Sequence, residues 1–526
     1  MVRAHSRTTI AKQGHAVIFH PDLTTLNHTI AFHARQTPEH AAILTPTGAT
    51  VSYAELYHRS TRLAGALRSA GIRPGDRIAC LGRETPSYWE LLFAASATGA
   101  VLVPINPALS AAEVEHIVDD ADAALVFIDH DHSLAGLTGR TEIITDLPSF
   151  TAWRDSGSDT APFEAHPDTP IAQLYTSGTT GLPKGVVLGQ RSFTAIRDAL
   201  GNANLDWIDW RDGDIAMIGI PGFHVGGLWY ATQAFHAGAT VFSMPEFDAV
   251  AARTAIRSLG ITTAIAVPAM LRQILDAPGS LSDFTTLRKV IYGGAPITES
   301  LLRRAARDFG ADFAQIYGLT ETGNTAICLP PDQHGPDSTR LRAAGRPYPG
   351  VEVRITDEHG TPVPQGEVGE VWLRTPAAML EYWKLPEATA DTLIDGWIRT
   401  GDAGRLDAEG YLFIEDRVKD MILVAGENVF PAEVENALAG HPAVNDVAVI
   451  GVPDDASGEA VLAYIVPHET IPTSRDLALF LRDRLAAFKR PTQYLFVDTI
   501  PRNPSGKILR RTLREQHWLD RERQVN

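Results

Sequence analysis

Cysteine is scarce in this chain of 526 residues. The two cysteines, Cys80 and Cys328, lie far apart without any CxxC spacing, so neither a disulfide framework nor a cysteine-ligated zinc site is supported. The first twenty residues contain no apolar stretch of the length that a signal peptide needs, and no later segment approaches the length of a membrane-spanning helix. These absences predict a cytoplasmic protein without a transmembrane segment.

Basic residues are outnumbered by acidic ones, and two common enzyme fingerprints are absent. Lys and Arg total 46 against 63 Asp and Glu, and the formal net charge of -17 argues against nucleic acid as a partner. Neither GxGxxG nor GxSxG occurs, which removes the fingerprint of a dinucleotide oxidoreductase and of an α/β-hydrolase. An anionic ligand would therefore need a site built locally from a few cations and donors.

The pattern of apolar residues predicts several structural units. A hydrophobic content of 44% suits a large buried core. Over residues 23–340, helix patterns such as Tyr53–Ala70 alternate with short apolar strands such as Thr263–Val267, which predicts an α/β fold with largely parallel sheets. Short strands between Gly, Pro and Asp turns then predict a β-rich subdomain at about 343–416.

The sequence patterns at the two ends of the chain differ from those of the region between them. Residues 417–526 alternate strands with two helices, Pro431–Leu438 and Ser474–Ala487, which predicts a separate α+β domain after an N-terminal domain of residues 1–416. The first twenty residues are predicted to be a frayed end without function.

The segment with the most residues suited to binding a ligand is 175–185, which lies between two apolar strands. Its sequence is Tyr-Thr-Ser-Gly-Thr-Thr-Gly-Leu-Pro-Lys-Gly. Its glycines allow close backbone approach, its hydroxyls and N–H groups donate to phosphate oxygens, and Lys184 adds a positive charge. It is not a Walker A loop, because Gly185 follows Lys184 where that motif needs Ser or Thr. The segment therefore predicts a phosphate cradle.

With this loop, the chain resembles the AMP-forming adenylating enzymes, which include acyl-CoA synthetases, adenylation domains and beetle luciferases. Matching motifs follow in the family's order from about Leu23 to Arg511. The resemblance implies two α/β subdomains beside the β-rich one, a mobile C-terminal domain, and ATP, Mg²⁺ and CoA as co-substrates or cofactor. It assigns the β- and γ-phosphates of ATP to six residues of the loop: Thr176, Ser177, Gly178, Thr179, Thr180 and Lys184.

The rest of the nucleotide site is implied by three further motifs. In the segment 316–322, Ile-Tyr-Gly-Leu-Thr-Glu-Thr, Tyr317 would stack on adenine, Thr320 would meet the α-phosphate and Glu321 would hold Mg²⁺. Asp402, in Thr-Gly-Asp, and Arg417 would contact the ribose. The remaining adenine contacts implied by the resemblance are Gly293, Gly294, Ala295, Pro296 and Gly318.

Lys507 is the third charge expected to act in the reaction. A carboxylate that attacks a triphosphate brings two anions together, so the protein must supply cations and donors at that point. Lys507 ends the segment Pro501-Arg502-Asn503-Pro504-Ser505-Gly506-Lys507, in which the two prolines restrict the backbone and favour an ordered turn, and it resembles the family's C-terminal catalytic lysine. With Lys184, Thr320 and Glu321 it completes the predicted catalytic set.

The resemblance also assigns a hinge and a channel for CoA. Lys419 would absorb the rotation between two orientations of the C-terminal domain. The strand containing Ala425 and Gly426 would line the pantetheine channel, although alanine stands where relatives commonly have glycine, and that extra methyl puts the bore of the channel in doubt. Lys489 either meets the CoA phosphates or belongs to a capped helix end.

Acid selection is predicted at the segment 221–227, Pro-Gly-Phe-His-Val-Gly-Gly, which contains no carboxylate. Amino-acid-activating relatives need a carboxylate to pair with the substrate ammonium. The absence of a carboxylate from this segment predicts a fatty or aryl acid that has no charged group besides its own carboxylate. The predicted pocket consists of His224, Val225, Gly226, Ile316 and Gly323. His224 is interpreted as a gate or packing group, since a substrate carboxylate needs no general base at pH 7.

The sequence therefore predicts an ATP-dependent carboxylic acid:CoA ligase that works through acyl-AMP. A carrier-loading or amide-forming ligase would share every adenylation residue, and an inactive nucleotide-binding regulator would be expected to lack the charges that are present here. The segment 129–132, Asp-His-Asp-His, is interpreted as a polar turn and not as a metal site. Glu381 has no predicted role, and the oligomeric state is left open.

Overall fold

The computed structural model describes most of the chain, with gaps at both ends and at several internal segments. The described ranges are 8–12, 15–129, 141–144, 148–159, 161–176, 183–417, 420–424, 427–454, 457–468, 470–482, 484–502 and 507–518. No helix within these ranges is both long enough and apolar enough to cross a membrane.

The strands of the described residues are numbered here in chain order. They are β1 (Thr8–Lys12), β2 (His15–Phe19), β3 (Ala41–Leu44), β4 (Thr50–Ser52), β5 (Arg77–Leu81), β6 (Val101–Ile105), β7 (Leu125–Ile128), β8 (Thr141–Ile144), β9 (Pro170–Thr176), β10 (Lys184–Gly189), β11 (Ile215–Ile218), β12 (Thr240–Phe242), β13 (Thr263–Ala266), β14 (Lys289–Gly293), β15 (Asp312–Tyr317), β16 (Ile327–Leu329), β17 (Arg346–Pro347), β18 (Glu352–Thr356), β19 (Gly369–Arg374), β20 (Glu381–Tyr382), β21 (Leu393–Ile394), β22 (Trp397–Leu406), β23 (Leu412–Arg417), β24 (Ile422–Val424), β25 (Glu427–Val429), β26 (Val444–Asp454), β27 (Gly458–Pro467) and β28 (Gln493–Phe496).

The helices are numbered in the same way. They are α1 (Leu26–Gln36), α2 (Tyr53–Ser69), α3 (Pro86–Thr98), α4 (Ala111–Asp120), α5 (Pro148–Asp155), α6 (Arg191–Asn202), α7 (Val225–Ala237), α8 (Ala249–Leu259), α9 (Pro268–Asp276), α10 (Glu299–Phe309), α11 (Pro386–Thr392), α12 (Pro431–Ala439), α13 (Ser474–Leu481) and α14 (Arg510–Glu515). A short 3-10 helix at Thr320–Thr322 lies beside the predicted nucleotide site.

Two large sheets with helices around them form the body of the molecule. The first has the strand order β20-β10-β9-β6-β5-β7-β8, and the second has the order β17-β16-β15-β14-β13-β11-β12-β3-β4. Neighbours are parallel from β9 to β8 in the first sheet and from β15 to β3 in the second, which confirms the predicted α/β class. The hairpin of β9 and β10 is antiparallel, because a short loop joins them where a parallel pair needs a crossover.

Two smaller sheets complete the fold. The third sheet has the order β18-β19-β22-β21, with β23 paired to β22, and lies in the predicted β-rich region. The fourth has the order β25-β24-β27-β26, with β28 paired to β27. Apolar clusters cover both faces of this last sheet: one includes Val434 of α12 and Leu477 of α13, and the other includes Leu513 of α14. The C-terminal part of the chain therefore has a core of its own.

One segment, Thr375–Leu385, passes between the body sheets, and we call it the 375–385 segment. It follows β19 of the third sheet, and its backbone N–H at Met379 donates to the carbonyl of Glu321 at 2.8 Å. Its residues Glu381 and Tyr382 then form β20 on the edge of the first sheet. The Trp383 N–H donates to the Gly185 carbonyl at 2.7 Å, so the segment joins three sheets.

Two predictions about the ends of the chain were wrong. The N-terminal strands β1 and β2 form a hairpin where a frayed end was predicted, and the Ile18 N–H donates to the Trp210 carbonyl at 3.1 Å. Helix α13 ends at Leu481, six residues before the predicted end. The guanidinium of Arg490 donates to the carbonyls of Arg482 and Leu485, which supplies these groups with a partner other than a continuing helix.

A buried charge cluster lies at the base of the second sheet, at the opposite end from the site loops. Arg288 donates to Asp209 and Asp214, and Lys289 at the start of β14 forms a close ion pair with Asp209. Burial would raise the pKa of Asp209, but Lys289 and Arg288 more than offset it and lower that pKa to about 2. The carboxylate is thus held ionised inside the protein.

We expect Asp209→Asn to destabilise the fold by about 3 kcal/mol at pH 7, because it leaves buried cations without their partner. A carboxyl group with a lowered pKa contributes its stability above the unfolded value near 4 and loses it as the pH falls toward 2. The difference from wild type should therefore be complete at pH 7 and smaller at pH 3 in urea unfolding. Asp312→Asn, at an exposed position of β15, is the control and should change stability by less than about 0.5 kcal/mol.

Candidate active site

The predicted site segments meet at the carboxyl ends of the parallel strands of the second sheet. The segment 294–296 follows β14, Thr320 and Glu321 follow β15, and the segment 221–227 follows β11. Because β11, β13, β14 and β15 are parallel neighbours, these loops emerge at the same edge. The topology therefore brings together the predicted adenine, metal and acid segments.

The predicted phosphate loop is carried by the antiparallel pair β9 and β10. Thr176 ends β9 and lies opposite Lys184, the first residue of β10. Ser177, Gly178, Thr179 and Thr180 lie outside the described residues, so their predicted phosphate contacts stay predictions. The ladder fixes the separation of the two loop ends.

Lys184 and Glu321 are linked through Tyr382 of the 375–385 segment. The Tyr382 hydroxyl donates to Glu321 Oε1 at 2.7 Å, and Lys184 Nζ lies 5.0 Å from the centre of the same ring. A charged hydrogen bond and a cation–π contact therefore hold the two predicted catalytic groups against one rigid aromatic side chain.

Glu321 suits the magnesium ion that the resemblance implies. Among the described residues, no group of three or more His, Cys, Asp and Glu side chains could hold a metal ion. Mg²⁺ is commonly bound through one or two carboxylates together with substrate phosphates, so a single tethered carboxylate beside a phosphate loop fits it. Asp129 of the predicted polar turn accepts from the Arg83 N–H at 3.3 Å, and residues 130–132 lie outside the described ranges.

Tyr317 and Asp402 form the centre of the predicted adenosine site. The Tyr317 hydroxyl donates to Asp402 Oδ2 at 2.6 Å, which fixes the carboxylate that is predicted to accept from the ribose hydroxyls. Asp402 also donates its own N–H to Thr400 Oγ1 at 3.0 Å. The side chain of Arg417 is not among the described parts, but its backbone lies opposite Asp402 in the β22–β23 ladder.

Glycines let the adenine segments approach their neighbours closely. A Cβ on Gly293 would collide with the carbonyl of Ile316 on the adjacent strand, and one on Gly318 would collide with the carbonyl of Asn324. Gly294 has φ +77, a conformation that favours glycine. Gly294 and Pro296 are exposed and Ala295 is half-buried, so this segment borders the open edge of the sheet.

The acid segment 221–227 is held from behind by a buried carboxyl group. The Gly222 N–H donates to Glu84 Oε1 at 2.6 Å, and the Tyr88 hydroxyl donates to the Gly222 carbonyl at 2.9 Å. Burial raises the pKa of Glu84 to about 7. The segment itself still contains no carboxylate, so this group supports the loop and does not belong to the predicted acyl wall.

His224 and Lys507 are close enough to influence each other. Burial, and then the positive charge of Lys507, lower the pKa of His224 to about 4, so the imidazole is neutral at pH 7. Lys507 itself is exposed. The lysine near the end of the chain therefore lies within electrostatic range of the predicted acid segment in the middle of it.

The other predicted pocket residues differ in their surroundings. Val225 and Gly226 lie in the first turn of α7, and Ile316 is buried in β15. Gly323 has φ +72, and a Cβ there would collide with the carbonyl of Ala377 in the 375–385 segment. A larger residue at 323 would therefore strain the backbone and collide with the 375–385 segment.

The predicted hinge and channel residues Lys419, Ala425 and Gly426 lie outside the described residues. Lys489 is described, and its Nζ pairs with both carboxylate oxygens of Glu433 at 2.9 and 2.8 Å. That ion pair gives Lys489 a structural partner within the C-terminal domain, and its contact with CoA stays a prediction.

Three residues beside the site were not predicted from the sequence: Glu84, Asn324 and Tyr382. Only Asn324 follows a recognised motif, and each of the three contributes through a contact with a distant part of the chain. Tyr382 follows Glu381 in β20. The negative charge of Glu381 acts on Arg77, and the pairing of β20 with β10 places the Tyr382 ring beside Lys184. Local spacing carries no signal for such contacts.

Comparison with known proteins shows the family to which the chain is similar along most of its length. The model of the AMP-binding enzyme family matches residues 30–383, and that of the AMP-binding enzyme C-terminal domain matches residues 433–507. A fatty acid–[acyl-carrier-protein] ligase, ScoC, of Streptomyces coeruleorubidus is 55% identical over 97% of this chain and 99% of its own length. A feruloyl-CoA synthase of an Amycolatopsis species is 36% identical over 92% of this chain and 97% of its own.

A solved structure shows the same fold with a bound nucleotide. The O-succinylbenzoate coenzyme A synthetase MenE from Bacillus subtilis, in complex with ATP and magnesium ion, has a TM-score of 0.82 and 30% sequence identity. The match covers 92% of this chain and 98% of that one. The predicted fold class is thereby confirmed, with its large N-terminal part and smaller C-terminal part.

We expect Tyr382→Phe to raise the KM for Mg·ATP about tenfold while changing the KM for the acid less than twofold. The variant removes a hydrogen bond to a charged group, worth about 1.5 kcal/mol, but keeps the ring under Lys184. The Mg²⁺ concentration for half-maximal activity should rise with it. Tyr57→Phe on α2 is the control, and an unchanged magnesium dependence in Tyr382→Phe would contradict the assigned contact.

We expect Glu84→Gln to make the protein more stable than wild type at pH 8 but not at pH 4. A carboxyl group whose pKa is raised in the folded state is protonated there at low pH, and ionising it costs stability as the pH rises from about 4.5 to about 7. The full difference is roughly 3 kcal/mol, and glutamine keeps the acceptor for Gly222. Thermal unfolding between pH 4 and 8 measures it, with Glu164→Gln as the exposed control.

Proposed function

Because the chain belongs to the AMP-binding enzymes and is an adenylate-forming acid ligase, we propose that it activates a fatty acid whose chain carries no charge. The acyl group is then transferred to an acyl carrier protein. The carrier-protein acceptor is supported most by the 55% identity to a fatty acid–[acyl-carrier-protein] ligase, which extends over 97% of this chain. The acid segment without a carboxylate supports an acid without an ammonium group.

In the first half-reaction, an oxygen of the acid's carboxylate attacks the α-phosphorus of ATP. The bond from that phosphorus to the bridging oxygen breaks, and pyrophosphate leaves with the electron pair. Lys184 and the residues of the phosphate loop stabilise the departing charge, while Lys507 offsets the repulsion where carboxylate meets phosphate. Bound Mg²⁺ on Glu321 would neutralise part of the phosphate charge.

Asp402, fixed by Tyr317, holds the ribose so that the α-phosphate faces Thr320 and the acid. A carboxylate that is already oriented by a 2.6 Å hydrogen bond loses little freedom when the nucleotide binds. The same contact remains useful in the second half-reaction, when AMP is the leaving group.

In the second half-reaction, a thiolate sulfur attacks the carbonyl carbon of acyl-AMP. The bond to the phosphate oxygen breaks, AMP leaves, and the thioester is formed. Lys507 cannot occupy the acid site while a pantetheine arm enters it, so the C-terminal domain has to turn, with Lys419 as the proposed pivot. The separate core of that domain suits a movement as one body.

CoA is the second candidate for the thiol, since the feruloyl-CoA synthase is 36% identical over 92% of this chain. Both acceptors present a thiol on a flexible arm, so the adenylation residues are compatible with either. They differ in what lies beyond the arm: a nucleotide with three phosphates in CoA and a protein surface in the carrier.

We expect thioester formation at least tenfold faster with a phosphopantetheinylated acyl carrier protein than with CoA at equal thiol concentration. The assay follows acyl-thioester by mass spectrometry over saturated acids of 4 to 16 carbons, with pyrophosphate release measured in parallel. A faster reaction with CoA would make CoA the acceptor. Pyrophosphate release with no thioester on either thiol would exclude both.

A further inference from the structure

The helix α7 begins inside the candidate site without a side-chain cap. It runs for 13 residues from Val225, and its N-cap residue His224 makes no capping hydrogen bond through its side chain. The first backbone N–H groups of a helix have no partner within the helix, and the peptide dipoles make this end attractive to an anion. A helix end of this kind is suited to binding an anion, but it needs a second feature that points to a ligand.

Asn324 supplies that feature. Its side chain is only 8% exposed, and its amide nitrogen Nδ2 has no hydrogen-bond partner among the described residues. Its Oδ1 lies 3.6 Å from the position that a Cβ on Gly226 would occupy, so the carboxamide lies against the first turn of α7. Buried polar groups are almost always hydrogen-bonded, so such a nitrogen points to a ligand that accepts from it.

The backbone holds Asn324 in this place. Its φ is +90, a conformation that asparagine adopts more readily than most residues, and its N–H donates to the Leu319 carbonyl at 3.0 Å. Its own carbonyl lies against Gly318. The residue is therefore fixed beside the short helix that carries Thr320 and Glu321, which is where the α-phosphate is predicted.

A second buried nitrogen lies at the same turn. His224 Nε2 also lacks a hydrogen-bond partner within the described part of the chain, and Lys507 is near enough for its charge to act on this imidazole. The carboxyl group of Glu84 is held behind the segment by the Gly222 N–H. The first turn of α7 thus offers backbone N–H groups and the Asn324 Nδ2 as donors, within range of the charge of Lys507, and these groups suit an anion with two acceptor oxygens.

We propose that the first turn of α7 and the Asn324 carboxamide together bind the carboxylate of the acid and present it to the α-phosphate. The inference rests on the proposed function and names the group of the substrate that this corner recognises. An apolar tail at the same place would leave Asn324 Nδ2 unpaired, whereas a carboxylate oxygen accepts from it. Asn324 is then a substrate-binding residue for every acid that the enzyme uses.

The test uses acids that share the carboxylate and differ in everything else. Octanoate and benzoate are compared in acid-dependent ATP–pyrophosphate exchange with wild type, Asn324→Gly and Asn324→Asp. Asn324→Gly removes the side chain and eases the positive φ, and Asn324→Asp keeps the shape but replaces a donor by an anion. Asn204→Gly, an exposed asparagine with φ +56, is the matched control.

We expect the KM for each acid to rise by the same factor, at least tenfold in Asn324→Gly and more in Asn324→Asp, with the KM for ATP changed less than twofold. Asn204→Gly should match wild type. Equal melting temperatures of the variants, measured with AMP bound, exclude a folding defect as the cause.

Two results would overturn the inference. A loss for octanoate but not for benzoate would place Asn324 at the tail of the acid, and an equal rise in the KM for ATP would place it at the nucleotide. Failure of the proposed function gives a different result. In that case wild type would not use octanoate at all, and exchange with benzoate alone would still test the carboxylate contact.

Discussion

The 375–385 segment constrains the rest of the site, because it forms hydrogen bonds with the first body sheet at Gly185 and with Glu321, which follows β15 of the second. At Met379 it binds the backbone of Glu321, and at Tyr382 it binds the side chain of the same residue. The Trp383 N–H then donates to the carbonyl of Gly185, next to Lys184. The centre of the Trp383 ring lies 3.4 Å from the guanidinium carbon of Arg77. The spacing between a cation and a carboxylate from different sheets is thus set by one short strand.

The sequence identified candidate site residues where a short motif contains them. The composition of the segment 175–185 predicts a phosphate cradle, and Tyr317 and Asp402, which the resemblance assigned to adenine and ribose, form a hydrogen bond of 2.6 Å. The α/β class also followed from the alternation of helix and strand patterns. Periodicity is a local property, so it was sufficient for these features.

Contacts between distant segments could not be predicted in this way. Glu84 meets Gly222 across 138 positions, and nothing in the polar sequence around Glu84 distinguishes a loop support from a surface carboxylate. The early end of α13 is another case, because Arg490 takes carbonyls that a longer helix would have used. In each case a tertiary hydrogen bond decided what local propensity left open.

The fourth sheet, covered by apolar clusters on both faces, has a consequence for how such enzymes can diversify. A unit that carries its own core can exchange its surface, or be replaced as a whole, without disturbing the packing of the body. The residues predicted to select the acid belong to the body, whereas those predicted to meet the second substrate belong to the smaller unit. On this proposed division, selection would alter the choice of acceptor and the choice of acid almost independently, as two heritable traits on one polypeptide.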